Sequence, residues 1–164
     1  MRDLRIAYSP DLGYAAADAE VAALVRKAVD VFADLGATLE EKNPGFENPE
    51  AIFRVHWFTG AAALLKGIPA EKRKLIDPGL IEVAEEGAKI SSSELMDAQM
   101  KRGALGTHMN LFHRDYDLLL TPTLAVAAFD VGQETPVKGR WTDCGTFSSL
   151  FRANQIASKS KCAS

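Results

Sequence analysis

Residues 117–129 read DLLLTPTLAVAAF, from Asp117 to Phe129. Leu118, Leu119 and Leu120 are consecutive apolar residues bounded by a charged residue and a Thr-Pro-Thr break. That pattern suits a strand covered on both faces, and so a central strand. Such a strand needs helices packed over it, which predicts an α/β fold. Ligands of α/β folds gather beyond the carboxyl ends of the strands, where Thr121, Pro122 and Thr123 follow. The stretch therefore predicts a fold class and a candidate site together.

The preceding chain fits that frame. Leu4 to Ser9 is a short, mostly apolar run closed by Pro10, the pattern of a strand entering a turn. Asp18 stands at a helix N-cap position. Val21, Leu24, Val25, Ala28, Phe32 and Leu35 then follow a 3.6-residue period, and Gly36 supplies the left-handed residue that ends the helix. Residues 37–41 form the next strand, so the first forty residues predict a βαβ unit with two parallel strands.

A loop over residues 43–48 leads to Asn48 as cap and Pro49 at the first position of a helix running to about Lys66, stopped by Gly67 and Pro69. Its predicted apolar face is Ile52, Phe53, Trp57, Ala61 and Leu64. Asp77 and Pro78 repeat the cap-and-proline signature and open a short helix ending at Gly87. Ser91 with Glu94 is a capping box for a helix from Ser92 to about Arg114, with Leu95, Ala98, Leu105, Met109 and Phe112 on one stripe. Arg102 falls inside that stripe. A guanidinium there suits a carboxylate clamp, but an internal ion pair with Asp115 or Asp117 is the commoner fate of such a residue.

Composition limits the function classes. The chain has 164 residues, 47% of them hydrophobic and 25% charged, with a formal net charge of -3. That is one domain's worth of chain, without the basic surface that nucleic-acid binding needs. No window approaches the roughly 18 consecutive apolar residues of a membrane-spanning helix, and no secretory leader is present, so a soluble cytoplasmic protein is expected. Cys144 and Cys162 are too few for a disulfide scaffold. His56, His108 and His113 form no ligand spacing with each other or with the cysteines, so no metal site is expected. There is no phosphate-binding glycine loop. Ser158 to Lys161 bring serine and lysine together, but in a segment (158–164) that reads as a flexible tail and cannot orient them. Trp57 and Trp141 are large aromatics that serve either a core or a pocket wall.

The succession RIAYSPDLG, a capped helix ending in DLGATLEE, DPGLIEVAEEG, and YDLLLTPTLAVAAF with a downstream GRWTD resembles the later half of amidase signature hydrolases, over about residues 4–148. The long helix carrying Ala98 and Arg102 ahead of YDLLLTPT belongs to the same pattern. The resemblance implies a mixed, partly parallel β-sheet flanked by helices, within one domain over residues 1–157. It also implies amide hydrolysis through a serine acyl-enzyme, a Ser, cis-Ser, Lys triad, a small-molecule amide substrate, and no metal or cofactor. In the family the triad lies upstream, on a Gly/Ser-rich stretch and a preceding lysine. Nothing like GGSSGGS occurs in these residues, so no catalytic residue carries over. After Phe147 the chain departs from the family's pattern. What carries over is a pocket wall: Trp57, Thr121, Pro122, Thr123 and Trp141 resemble positions on the acyl side of these enzymes. The expectation is an amidase-like C-terminal portion, inactive alone. The alternative is a non-catalytic binding or assembly module. Either one leaves sheet edges and apolar patches that favour self-association or a partner carrying the catalytic half.

Overall fold

The computed structural model describes residues 3–15 and 17–128. Expectations for Phe129, Trp141, the two cysteines and the tail lie outside the described residues. The chain runs β1 (Arg5–Tyr8), α1 (Ala19–Asp34), β2 (Thr38–Glu41), α2 (Glu50–Lys66), α3 (Ala70–Arg73), α4 (Pro78–Gly87), α5 (Ser92–Phe112) and β3 (Leu118–Leu120). It divides into two compact units, one made by the residues before Pro49 together with those from Thr107 on, the other by Pro49–Gly106. The fold class is α/β, with a parallel three-stranded sheet and helices.

In the first unit the strand order is β2-β1-β3, all parallel, so β1 is the middle strand. Ile6 and Ala7 are fully buried, and Tyr8 nearly so, whereas Leu118 is 40% exposed. This corrects the reading of residues 118–120 as the central strand. Among the described residues β3 lies at the sheet edge. Hydrophobic run length measures how much apolar surface a strand offers, not how many strands pair with it. Arg5 made β1 look less buried than it is, because its guanidinium leaves the sheet for the Tyr116 ring, 5.6 Å away. β1 and β3 are pinned where they enter the sheet: the Arg5 N–H donates to Asp117 Oδ2 and the Asp117 N–H to the Arg5 carbonyl, both at 2.8 Å.

The βαβ unit is present, with β1 and β2 paired in parallel from Arg5 opposite Thr38 to Tyr8 opposite Glu41. Helix α1 ends in a Schellman arrangement. Gly36 has φ of +91°, its N–H reaches the Ala33 carbonyl, and the Ala37 N–H reaches that of Phe32. Asp18 occupies the N-cap position without a side-chain cap bond, and its own N–H donates to the Ala125 carbonyl at 2.8 Å. The segment after β3 therefore packs back on the α1 entry, with Ala125 1% exposed.

The second unit is helical. α2 packs against α4. The buried positions of α2 are Phe58, Ala61, Ala62 and Leu65, while Trp57 is 49% and Leu64 61% exposed. The predicted face shared only Ala61 with this one. α2 carries apolar residues around most of its circumference, so periodicity offers several faces and the packing partner selects among them. The cap also falls one residue later than expected, on Pro49. α4 matches expectation in both bounds. Asp77 caps it by accepting from the Leu80 N–H at 3.3 Å, with Pro78 at its first position. α3, unexpected from sequence, presents Arg73, whose guanidinium donates to the Leu65 and Ile68 carbonyls at 2.9 and 3.0 Å and so completes the carboxyl end of α2.

Helix α5 opens with the predicted capping box: the Ser91 N–H and hydroxyl donate to Glu94 Oε2 at 2.8 and 2.7 Å, and the Glu94 N–H returns to Ser91 Oγ at 3.2 Å. Its less exposed side is the predicted stripe, Leu95, Ala98, Leu105, Met109 and Phe112, with Arg102 exposed. No described helix is long and apolar enough to cross a membrane.

Candidate functional site

Parallel strands carry their chain onward at one end of the sheet, so three segments emerge together there. β1 continues into Ser9, β2 into Lys42 and Asn43, and β3 into Thr121. Two backbone bonds carry the ladder one step past the strands: the Ser9 N–H donates to the Leu120 carbonyl and the Lys42 N–H to the Tyr8 carbonyl, each at 2.9 Å. Because Tyr8 stands opposite both Glu41 and Leu120, Ser9 is flanked by both neighbouring strand ends.

Ser9 is fully buried, and it is the buried polar residue of the described core. Its hydroxyl donates to Asn43 Oδ1 at 2.6 Å and accepts the Leu12 N–H at 2.8 Å. Both functions of the hydroxyl are thus engaged, as a buried polar group requires. The turn that brings Leu12 back is left-handed at two successive residues, Leu12 (φ +54°) and Gly13 (φ +85°). Asp11 holds it, accepting the Gly13 N–H on Oδ1 and the Ala15 N–H on its carbonyl, both at 2.8 Å. Gly13 also sits against Asn43: a Cβ there would lie 3.2 Å from Asn43 Nδ2. Sequence reading passed over this joint. Its one signal was a small polar residue closing an apolar strand just before a proline.

Thr121 follows β3 beside Ser9. Its Oγ1 is buried and has no hydrogen-bond partner among the described residues. Pro122 is buried and Thr123 exposed, so the Thr-Pro-Thr segment turns from core to surface over three residues. Around the same strand ends, Tyr14, Phe46 and His108 form an aromatic row, with centroids 5.8 and 6.4 Å apart. His108 Nε2 lies 2.7 Å from the Pro44 carbonyl, which can only accept, so Nε2 carries the proton. Burial pushes the Tyr14 phenol above its ordinary pKa, which keeps it neutral and able to donate.

Of the residues singled out from sequence, Thr121, Pro122 and Thr123 lie together at the carboxyl end of β3. Trp57 is in α2, in the helical unit, stacked on Phe53 with centroids 5.6 Å apart. Trp141 lies outside the described residues. The helical unit has a pocket of its own, about 190 Å³, formed by apolar side chains of α2 and α4 with Lys66, Arg73 and Glu85 among its lining residues. Among the described residues no cluster of His, Cys, Asp and Glu is arranged to hold a metal ion. The buried serine is engaged by Asn43 and Leu12, not by a lysine.

Comparison with known proteins gives this arrangement a family. The amidase family model matches residues 1–160. An acylamidase of Rhodococcus erythropolis is 34% identical over 138 residues, covering 83% of this chain and 29% of its own. Among solved structures, a bacterial aryl acylamidase of the amidase signature enzymes superposes with a TM-score of 0.68 at 25% identity, over 93% of this chain and 36% of that one. The 6-aminohexanoate cyclic dimer hydrolase shares the fold, with a TM-score of 0.67 at 18% identity over 92% of this chain and 33% of that one. The chain thus spans about a third of the length of the relatives it matches. Because the amidase family model matches residues 1–160 of the chain's 164, the chain belongs to the amidase signature family.

Proposed function

We propose that these residues form the substrate-facing portion of an amidase-type hydrolase that cleaves small-molecule amides at the carbon–nitrogen bond, and that they are inactive by themselves. The observation that carries this is the state of Ser9. A nucleophilic serine needs a base within hydrogen-bond reach and an open approach. Ser9 instead donates to Asn43, accepts from Leu12 and is fully buried. The sequence holds no Gly/Ser-rich stretch of the kind that carries the family's triad.

In this reading the carboxyl end of the sheet is one wall of the substrate cleft. Thr121, Pro122 and Thr123 belong to it. The catalytic wall is supplied by a segment carrying the Ser, cis-Ser and Lys groups. The Thr121 hydroxyl is the polar group that a ligand or that segment satisfies, since it has no partner among the described residues. A cytoplasmic, reducing setting accords with the two cysteines of the sequence.

The test uses the purified chain. Incubation with a panel of aryl and alkyl amides, and with a serine-reactive fluorophosphonate, is expected to give neither turnover nor labelling. Specific labelling of a single serine would overturn the proposal. Adding the remaining two-thirds of a related acylamidase in trans is then expected to restore hydrolysis. A chain that binds that segment tightly without hydrolysis would favour a non-catalytic assembly role.

A further inference from the structure

Helix α1 has two apolar sides. Val21, Val25, Val29 and Phe32 form its less exposed side, with Val29 only 2% exposed. A second stripe, Leu24, Ala28, Val31 and Leu35, stands in solvent: Leu24 is 59%, Val31 52% and Leu35 52% exposed. The spacing within that stripe is four, three, four. At 100° per residue the four side chains fall within a band about 60° wide, turned about 90° from the buried side. That is the a/d spacing of a helix-pairing seam, narrower than the stripe by which a helix merely covers a sheet.

The structure assigns this stripe as a self-association surface, on which α1 of a second copy of the chain docks in antiparallel orientation. The sequence is self-complementary only in that sense. An antiparallel pair centred between Ala28 and Val31 sets Leu24 against Leu35 of the other copy, and Ala28 against Val31. It uses all four apolar residues twice, as a two-fold interface must. The flank remote from the sheet carries Glu20, Lys27 and Asp34 at seven-residue intervals. In the antiparallel pair Lys27 of each copy meets Asp34 of the other, giving two symmetric ion pairs. A parallel pair would set Lys27 against Phe32 and Glu20 against Val25, with no charge matched. The other flank, Val25 and Phe32, is turned to the less exposed side of the helix, and Arg26, on the face away from the seam, is already engaged by Asp30 and Glu41, both at 3.2 Å. A seam of one sixteen-residue helix buries less than a standard stable interface, so the dimer is weak and concentration-dependent.

Sedimentation equilibrium on the purified chain over a hundredfold concentration range tests this. A monomer–dimer equilibrium is expected. Val31→Lys places two added charges, one from each copy, on the two-fold seam at an exposed site and removes apolar contact there, and is expected to weaken association on the order of tenfold or more with unchanged circular dichroism. Lys27→Glu and Asp34→Lys are each expected to weaken it about threefold or more by setting like charges together. The double variant K27E/D34K is expected to return to near the parent affinity. A strict monomer at all concentrations overturns the proposal. So does a dimer indifferent to Val31→Lys, or a double variant no better than its singles.

Discussion

A Cβ placed on Gly87 of α4 would lie 1.9 Å from the carbonyl oxygen of Phe58 in α2 and 2.3 Å from its carbon. No side chain fits at that distance, and the obstacle is backbone, which cannot swing aside. Gly87 is therefore a point of close approach between α2 and α4 in the helical unit. The sequence offered it as a helix terminator, and it does end α4, but its chief physical role is to let two helices touch.

Gly87→Ala is expected to force α2 and α4 apart and to destabilise the protein by about 3 kcal/mol or more, since overpacking against backbone has no cheap relaxation. Urea denaturation measures the loss, and amide hydrogen exchange is expected to localise it to α2 and α4. Gly60 and Gly106 are internal controls: both are helical, and a Cβ on either meets nothing within 4 Å. Alanine at those sites is expected to stabilise by about 0.5–1 kcal/mol each through helix propensity. Equal losses at all three positions would contradict the close-approach reading of Gly87.

Ser9→Ala removes an acceptor from a buried N–H and a donor from Asn43. Leu12 is 6% exposed, so its N–H has little access to water once the hydroxyl is gone. An orphaned buried donor costs about 1–3 kcal/mol. The urea midpoint is expected to fall accordingly, with the loss concentrated in the first unit. Asn43→Ala is expected to cost less, because Asn43 is exposed and water can replace it. A larger effect at Asn43 than at Ser9 would show that the joint is organised from the other side.

The capping box gives a pH dependence with a definite sign. Hydrogen bonds from the Ser91 hydroxyl and N–H favour the charged carboxylate of Glu94 and hold its pKa below the ordinary 4.5 of a glutamate. A group whose folded pKa is depressed stabilises the fold above its unfolded pKa, and that contribution fades as pH falls through the folded value. Glu94→Gln is expected to lower α5 stability at neutral pH and to flatten the dependence below about pH 4.5. The side-chain carboxyl shift of Glu94, followed by NMR titration, checks it directly. A midpoint above that of a model glutamate would refute the assignment.

Local chemistry was legible in the sequence, and long-range partnership was not. The Ser91–Glu94 box, the Asp77–Pro78 start and the Gly36 stop each depend on residues within a few positions, and each formed as read. Among the described residues β1, not the run Leu118 to Leu120, has two neighbours; that run advertises burial more loudly than Arg5 to Tyr8, while only pairing across more than a hundred residues decides the order. The face of α2 was hidden for the same reason: many of its residues are apolar, and α4 makes the choice. At the candidate site, the strand-end position of Thr121 followed from the Thr-Pro break. The Ser9–Asn43 joint beside it joins residues 34 apart and left almost no local mark.

Thr121 separates stability from function. Its buried Oγ1 has no partner among the described residues, which bear the desolvation cost of that hydroxyl without recovering it. Thr121→Val keeps the branched shape and removes the cost, and is expected to leave stability unchanged or raise it by about 1 kcal/mol. A residue retained at a stability cost beside the ligand end of a parallel sheet fits a group whose partner arrives from outside the chain. In the trans-complemented enzyme the same substitution is expected to reduce amide hydrolysis, mainly through KM if the hydroxyl contacts substrate and through assembly affinity if it contacts the catalytic segment. Titrating that segment against each variant distinguishes the two. A Thr121→Val chain that loses stability by itself would mean that the hydroxyl is satisfied internally, and Thr121 would leave the candidate site.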